Sequence, residues 1–226
     1  MRLPFGDPVG RGRDKAARSA RGPLADYYAV PVPGPATPAS ELRLLAIDVE
    51  TTGLDPARDV VLSIGFVPVD GRTITLGGAR SMLLRGVASV GQSATIHHLT
   101  DDAVSAGLER AEALSVTLAA LAGRVLLAHH APIELQFLSR ACVEEFGAPF
   151  VSPAIDTMLL QNRIVAPGFD DEARVDELRL WNARGRYGLP RYGAHAAATD
   201  ALACAELYLA QVAELGGTPT LKSLAP

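Results

Sequence analysis

Asp48 and Glu50 stand two positions apart in Asp48-Val49-Glu50-Thr51-Thr52-Gly53-Leu54. On an extended strand, residues with that spacing project from one face. Two carboxylates side by side repel each other unless a cation lies between them, and Mg2+ or Mn2+, which favour oxygen ligands, suit such a pair. Taken alone, the pair reads equally well as an exposed acidic strand end. His195 precedes Asp200 by five positions in His195-Ala196-Ala197-Ala198-Thr199-Asp200. In one regular helix that spacing sets the side chains well apart around the axis, whereas a histidine in the preceding loop can share a site with the aspartate. Imidazole takes up a proton near neutral pH, as the general base of a hydrolysis must. A capping or core histidine is the plainer alternative. Glu134 opens a helix directly after an apolar strand, where the helix dipole favours an anion, and an ordinary stabilising acid is the alternative there.

These residues need a scaffold, and the apolar pattern supplies one. Leu42 to Asp48 is a short run suited to a buried strand, and Val60 to Val69 is a second, followed by a hairpin-type turn at Asp70-Gly71. Thr73 to Leu84 reads as a third strand broken at Gly77-Gly78, so an antiparallel meander is expected. The pattern then changes. Thr100-Asp101-Asp102 offers a helix start, Leu108 to Leu121 an Ala/Leu-rich helix, Arg124 to Ala128 a fourth strand, and Ile133 to Phe146 a helix closed by Gly147. Ala154 to Thr157 carries a last short strand into a helix, and Ala196 to Leu215 is a final helix ending at Gly216-Gly217. A meander followed by strand–helix alternation predicts a mixed α/β sheet.

Composition bounds the rest. The balance of 48% apolar and 20% charged residues is that of a globular protein, and the sequence contains no apolar run long enough to span a membrane. The two cysteines, Cys142 and Cys204, have no metal-ligand spacing and read as buried reduced thiols, which suits a cytoplasmic setting. The net charge of −4 argues against a broad duplex binder, because phosphate neutralisation dominates such affinity. An acidic site that holds divalent cations can still grip a few terminal nucleotides. Residues 1–40 carry six basic and three acidic side chains with much Gly and Pro, and read as an arm without a core of its own, partly extended. The start, Met1 to Tyr28, has no apolar core of the kind a secretory signal needs; its Arg-rich, acid-poor character resembles a transit peptide, but Gly and Pro are expected to break the amphipathic helix one requires. The expected division is therefore an arm at 1–40, a domain at 41–217 and a short tail at 218–226.

Several of these segments resemble the DnaQ-like 3′→5′ exonucleases of the DEDDh type, relatives of the proofreading subunit of bacterial DNA polymerase III. The family's Asp-x-Glu-Thr-Thr-Gly is matched by Asp48 to Gly53, its Ala-His-Asn-Ala-x-Phe-Asp-x-x-Phe-Leu segment in outline by Ala128 to Leu138, and its His-x-x-x-x-Asp by His195 and Asp200. Ile96-His97-His98-Leu99-Thr100 resembles its Ile-His-Gly-Ile-Thr, and Ile155-Asp156-Thr157 the Asp-Thr after its second motif. Order and spacing agree from about Leu44 to Leu215. The second motif departs: Glu134 stands where the family has Asp, His130 for Asn, and Ile133 for Phe. One extra methylene moves a carboxylate by about a bond length, and site geometry is sensitive to about 0.5 Å.

The resemblance implies a ribonuclease H-like α/β fold, a three-stranded antiparallel meander plus parallel strands flanked by helices. It implies two divalent ions, Mg2+ or Mn2+, on Asp48, Glu50, Glu134 and Asp200, with His195 as base and nucleoside 5′-monophosphates as products. Thr51, Thr52 and Leu54 would contact the terminal nucleotide, the threonines as donors to its 3′-OH. His97 and His130 would lie near the substrate, while His129 and Asp156 read as structural, Asp156 as a helix N-cap. The implied substrate is a nucleic-acid 3′ end, single-stranded DNA in preference to RNA, with a polymerase or repair partner and no membrane. An RNA 3′-trimming enzyme of the same superfamily and a catalytically silent binding module remain as alternatives.

Overall fold

The computed structural model describes residues 8–85, 107–168, 173–193 and 196–225. Its centre is a mixed sheet of six strands: β1 (Arg43–Thr51), β2 (Val61–Asp70), β3 (Thr73–Ile74), β4 (Arg80–Leu83), β5 (Val125–Ala128) and β6 (Ala154–Asp156). Strand order is β3-β2-β1-β5-β6, and β4 also pairs with β2. The β1–β2 and β2–β4 pairs are antiparallel, which is the expected meander; β5 and β6 add parallel to β1. The third strand is split at a short turn over Leu76–Gly78, where the sequence places Gly77-Gly78.

Helices cover both faces: α1 (Pro8–Ala17), α2 (Pro23–Ala29), α3 (Arg110–Leu121), α4 (Pro132–Phe146), α5 (Thr157–Val165), α6 (Val175–Leu178), α7 (Leu180–Arg186), α8 (Ala197–Leu215) and α9 (Leu221–Leu224). Alternation along β1 sorts the two cores. Leu45, Ile47 and Val49 join Leu24, Leu114, Leu118, Leu121, Phe137 and Leu138, from α2, α3 and α4. Leu44 and Ala46 join Leu160, Ala201, Cys204, Ala205 and Tyr208, from α5 and α8. Asp48 and Glu50 continue the second series, so they share the face that α8 covers.

The N-terminal segment departs from the extended arm that its composition suggests. Pro8 and Pro23 open their helices, where a missing N–H costs nothing, so proline starts α1 and α2 instead of breaking them. Gly12 sits 3.3 Å, measured from an ideal β-carbon, from Val151, so glycine there gives close packing. Leu24 and Tyr27 are fully buried in the first core, and burying a leucine contributes about 2 kcal/mol. Arg13 donates to the carbonyls of Val30 and Val151, and Arg21 N–H to that of Phe146. Residues 218–225 of the tail also pack back: Leu221 and Leu224 are buried, and Pro38 bridges to Thr220. Both cysteines are free and buried, and among the described residues no helix is long and apolar enough to cross a membrane.

Candidate active site

Asp48 pairs with Gly65 on β2 and Glu50 with Ser63, and the register shifts between Glu50 and Thr51. Such a bulge re-aims the chain at the end of the strand. Above this point lies the first turn of α8. A β-carbon on Gly65 would collide with the backbone of Ala197 and Ala198, so only glycine lets the helix settle directly over the partner of Asp48. Ala201, Cys204 and Ala205 on the same helix face are small enough to keep it there. Asp200, in that first turn, then reaches the strand.

The oxygens of Asp48, Glu50 and Asp200 come within 4.8 Å of one another, close enough to share a divalent cation. Burial pushes the Asp48 carboxyl well above the usual carboxylate range, and the charges of Glu50 and Asp200 push it further. Glu134, in the first turn of α4, is buried; Asp48 and Asp156 add to that burial in raising its carboxyl. Its Oε2 has no hydrogen-bond partner among the described residues, which is costly for a carboxylate without a cation. Glu134 therefore faces the same charge field, but it is not one of the three carboxylates that converge. The donor set, all hard oxygen and strongly self-repelling, fits Mg2+ or Mn2+.

A stability test follows. A carboxyl whose pKa is raised on folding contributes stability below its unfolded value, near 4, and loses it as pH rises through the folded value. Without metal, the protein should melt at a lower temperature at about pH 8 than at about pH 5, and Mn2+ should raise the melting temperature more at the higher pH. Equal Mn2+ effects at both pH values, read by differential scanning fluorimetry, would count against this cluster as the metal site.

Other predicted positions divide clearly. Asp156 is buried and caps α5, accepting from Met158 N and Leu159 N; it also accepts from His130 N and Ala131 N, each at 3.0 Å. One carboxylate thus fixes the starts of both α4 and α5, and with α4 the position of Glu134. His129 Nδ1 lies 2.9 Å from Thr157 Oγ1, and burial brings its pKa down to about 4, so it is neutral and internal. His130 is exposed and has φ of 78°, a left-handed conformation that asparagine and histidine tolerate better than most residues. This accounts for histidine where the family has Asn.

The threonine hydroxyls are not disposed as expected. Thr51 Oγ1 donates to Gly53 O at 2.6 Å and Thr52 Oγ1 to Asp59 Oδ1 at 3.0 Å. Each hydroxyl has one proton, so neither is left to donate to a 3′-OH in this conformation. Leu54 between them and Asp55 is 77% exposed, free to meet a base or sugar. His97, His98, the Thr100–Asp102 helix start and His195 lie outside the described residues; α8 begins at Ala197.

Gly65 and Asp59 carry no motif signal and are invisible without tertiary structure. The same is true of Arg184, which is 1% exposed and donates to Ala203 O, Pro190 O and Glu206 Oε2. It fastens the chain that follows α7 onto α8.

The family model RNase_T, described as an exonuclease, matches residues 45–208. The chain is 29% identical over 168 residues to DNA polymerase III subunit epsilon of Treponema pallidum, covering 74% of this chain and 75% of that protein. It is 30% identical over 177 residues to a DNA polymerase III subunit epsilon-like protein of Rhodobacter capsulatus, covering 76% of this chain but 24% of that one. Among solved structures, E. coli exonuclease I in complex with a dT13 oligonucleotide superposes with a TM-score of 0.64 at 16% identity, over 75% of this chain and 40% of that one. Exonuclease I from Methylocaldum szegediense gives 0.60 at 20% identity, again over 75% and 40%. The chain thus spans well under half of the exonuclease I chains, and that likeness establishes the ribonuclease H-like fold.

Proposed function

Because this chain belongs to the RNase_T exonuclease family, its chemistry is 3′→5′ removal of nucleotides, and we propose that it acts on DNA 3′ ends with divalent ions held by Asp48, Glu50, Asp200 and Glu134. The observation that carries this reading is the convergence of three carboxylates from β1 and α8 beside a buried fourth. When bound, Mg2+ or Mn2+ there supplies Lewis acidity toward the phosphodiester and makes water a nucleophile at neutral pH. The chain's own residues do the rest. Asp48, Glu50 and Asp200 hold the charge in place, Leu54 packs on the terminal nucleotide, and the exposed His130 stands at the mouth of α4 to donate to substrate. His97 is assigned to the same substrate. His195 takes the proton of the attacking water, and nucleoside 5′-monophosphate leaves.

His195→Ala should lower turnover by about 10²-fold with an unchanged melting temperature; near-normal turnover would reject its role as base. DNA is favoured over RNA because Thr51-Thr52-Gly53 follows the polymerase-associated pattern and a relative matched over 75% of its own length is a DNA polymerase III subunit. A polymerase or repair partner and a cytoplasmic setting belong to the same proposal.

A silent binding module is the second reading, favoured by Glu134 standing apart from the converging three. Digestion of matched single-stranded DNA, duplex DNA and RNA oligomers in Mn2+, by wild type and Glu134→Asp, separates the two. The expected result is 3′ shortening of single-stranded DNA, faster than of RNA, by both proteins. No shortening by wild type but activity in Glu134→Asp would establish the silent module; faster RNA digestion would move the substrate to RNA.

A further inference from the structure

The turn after β1 projects Leu54 into solvent, 77% exposed, on a tip formed by Gly53 and Leu54. We propose that Asp59 is a positioning residue that latches this tip, so that Leu54 is already placed for the terminal nucleotide; the proposal rests on the reading of Leu54 as a nucleotide contact. One oxygen of the Asp59 carboxylate accepts from Thr52 Oγ1 at 3.0 Å and the other from Asp55 N at 2.9 Å. Those two donors flank Gly53 and Leu54 on either side, so a single carboxylate closes the tip. Thr52 Oγ1 in turn accepts from Val60 N at 3.1 Å, and Thr52 N donates to Val60 O at 3.0 Å. The hydroxyl therefore links both sides of the turn. The backbone of Asp59 is held as well, its N–H donating to Asp55 O at 2.7 Å.

Gly53 completes the latch. A β-carbon there would lie 2.5 Å from Asp59 Oδ2 and 2.7 Å from its Cγ and Oδ1, so the carboxylate occupies the space a side chain would need. The glycine at the end of the first motif is thus required by Asp59, six residues on, and not by a left-handed backbone. From outside the turn, Arg140 on α4 donates to Pro56 O, tying the loop to the helix that bears Glu134. Ordering a loop on binding weakens affinity, and a turn ordered beforehand avoids that loss. Loosening the latch should therefore appear in KM and leave the hydrolytic step nearly intact.

The test is steady-state hydrolysis of a single-stranded DNA oligomer in saturating Mn2+ by wild type, Asp59→Ala, Asp59→Asn, Leu54→Ala and the Leu54→Ala/Asp59→Ala double variant, with melting curves for each. Asp59→Ala should raise KM about tenfold and change kcat less than about threefold, the tenfold corresponding to one or two ordered side chains. Asp59→Asn keeps one acceptor oxygen and should recover part of the loss. The double variant should bind no worse than Leu54→Ala, because the latch acts through the leucine. If Leu54→Ala raises KM while Asp59→Ala does not, or if the two effects add, the latch is wrong. A wild-type KM in Leu54→Ala removes the reading on which the latch rests, and the latch with it. Parallel losses of kcat and melting temperature in both Asp59 variants would make Asp59 merely structural.

Discussion

Replacing Asp48 with asparagine is expected to reduce hydrolysis by about 10³-fold or more and, at the same time, to raise the melting temperature of the metal-free protein. The two effects share one cause. Asp48 is withdrawn from solvent and faces Glu50, Asp200 and Glu134, so its charge is opposed by burial and by its neighbours. Asparagine keeps the shape and removes the charge. Relief of about 1 kcal/mol corresponds to roughly 3 °C in a chain of this size. In Mn2+ the order should reverse, because wild type gains stability from the ion and Asp48→Asn loses a ligand for it. Activity assays with melts in EDTA and in Mn2+ decide the matter. A metal-free Asp48→Asn protein that melts below wild type would show that Asp48 is a structural acid with an internal partner.

This pattern separates a site held for function from one held for stability. Other acids are arranged to gain from their surroundings. Asp156 accepts four backbone N–H groups. Glu206 meets Arg184 at 2.8 Å and Tyr192 at 2.9 Å. The carboxylates around Asp48 are gathered where burial and the charges of Glu50 and Asp200 raise Asp48, and where Asp48 helps to raise Glu134, an arrangement that costs stability until cations arrive. Helix starts soften that cost, since Asp200 and Glu134 both lie in first turns where the dipole favours negative charge.

How much of this was legible beforehand depended on how far each signal had to reach along the chain. Alternation along β1 is local, so the pairing of Asp48 with Glu50 on one face could be read directly from their spacing. The strand at Val61–Asp70, the helix closed by Gly147 and the N-cap at Asp156 are equally local, each written in a few consecutive residues. The N-terminal helices were not legible. Gly and Pro punctuate their segment, while the contacts that order them, from Arg13 to Val151 and from Arg21 to Phe146, cross more than a hundred residues. Residue types alone make the threonines of the first motif donors to substrate, because their partners, Gly53 O and Asp59, follow from a turn geometry that those types do not specify. Glu134 could be placed near the site by its motif, but its separation from the converging three is a matter of side-chain geometry.

Gly65 is the extreme case, an unremarked glycine inside a buried strand on which the site depends, and Gly65→Val should be nearly as damaging as loss of a ligand. Glycine within a strand weakens it and is kept where another backbone comes close. Here that backbone is the first turn of α8, lying where a β-carbon would stand, and the atoms in the way belong to the main chain of Ala197 and Ala198. No side-chain rotation can relieve such a clash, so the start of the helix must move. Asp200 moves with it and leaves Asp48 and Glu50, which sit opposite on β1. Overpacking of this kind costs about 1–3 kcal/mol, and losing the ligand lowers turnover by about 10³-fold. Gly65→Ala should fall between, about 10²-fold, as expected for a displacement of about 1 Å at a reacting centre. Mn2+ should also lose most of its power to raise the melting temperature in Gly65→Val, whereas a distant packing defect would leave that power intact. Wild-type turnover in Gly65→Val would mean that α8 does not need this seat, and the positioning of Asp200 would then have to be sought in Arg184 and the chain it fastens.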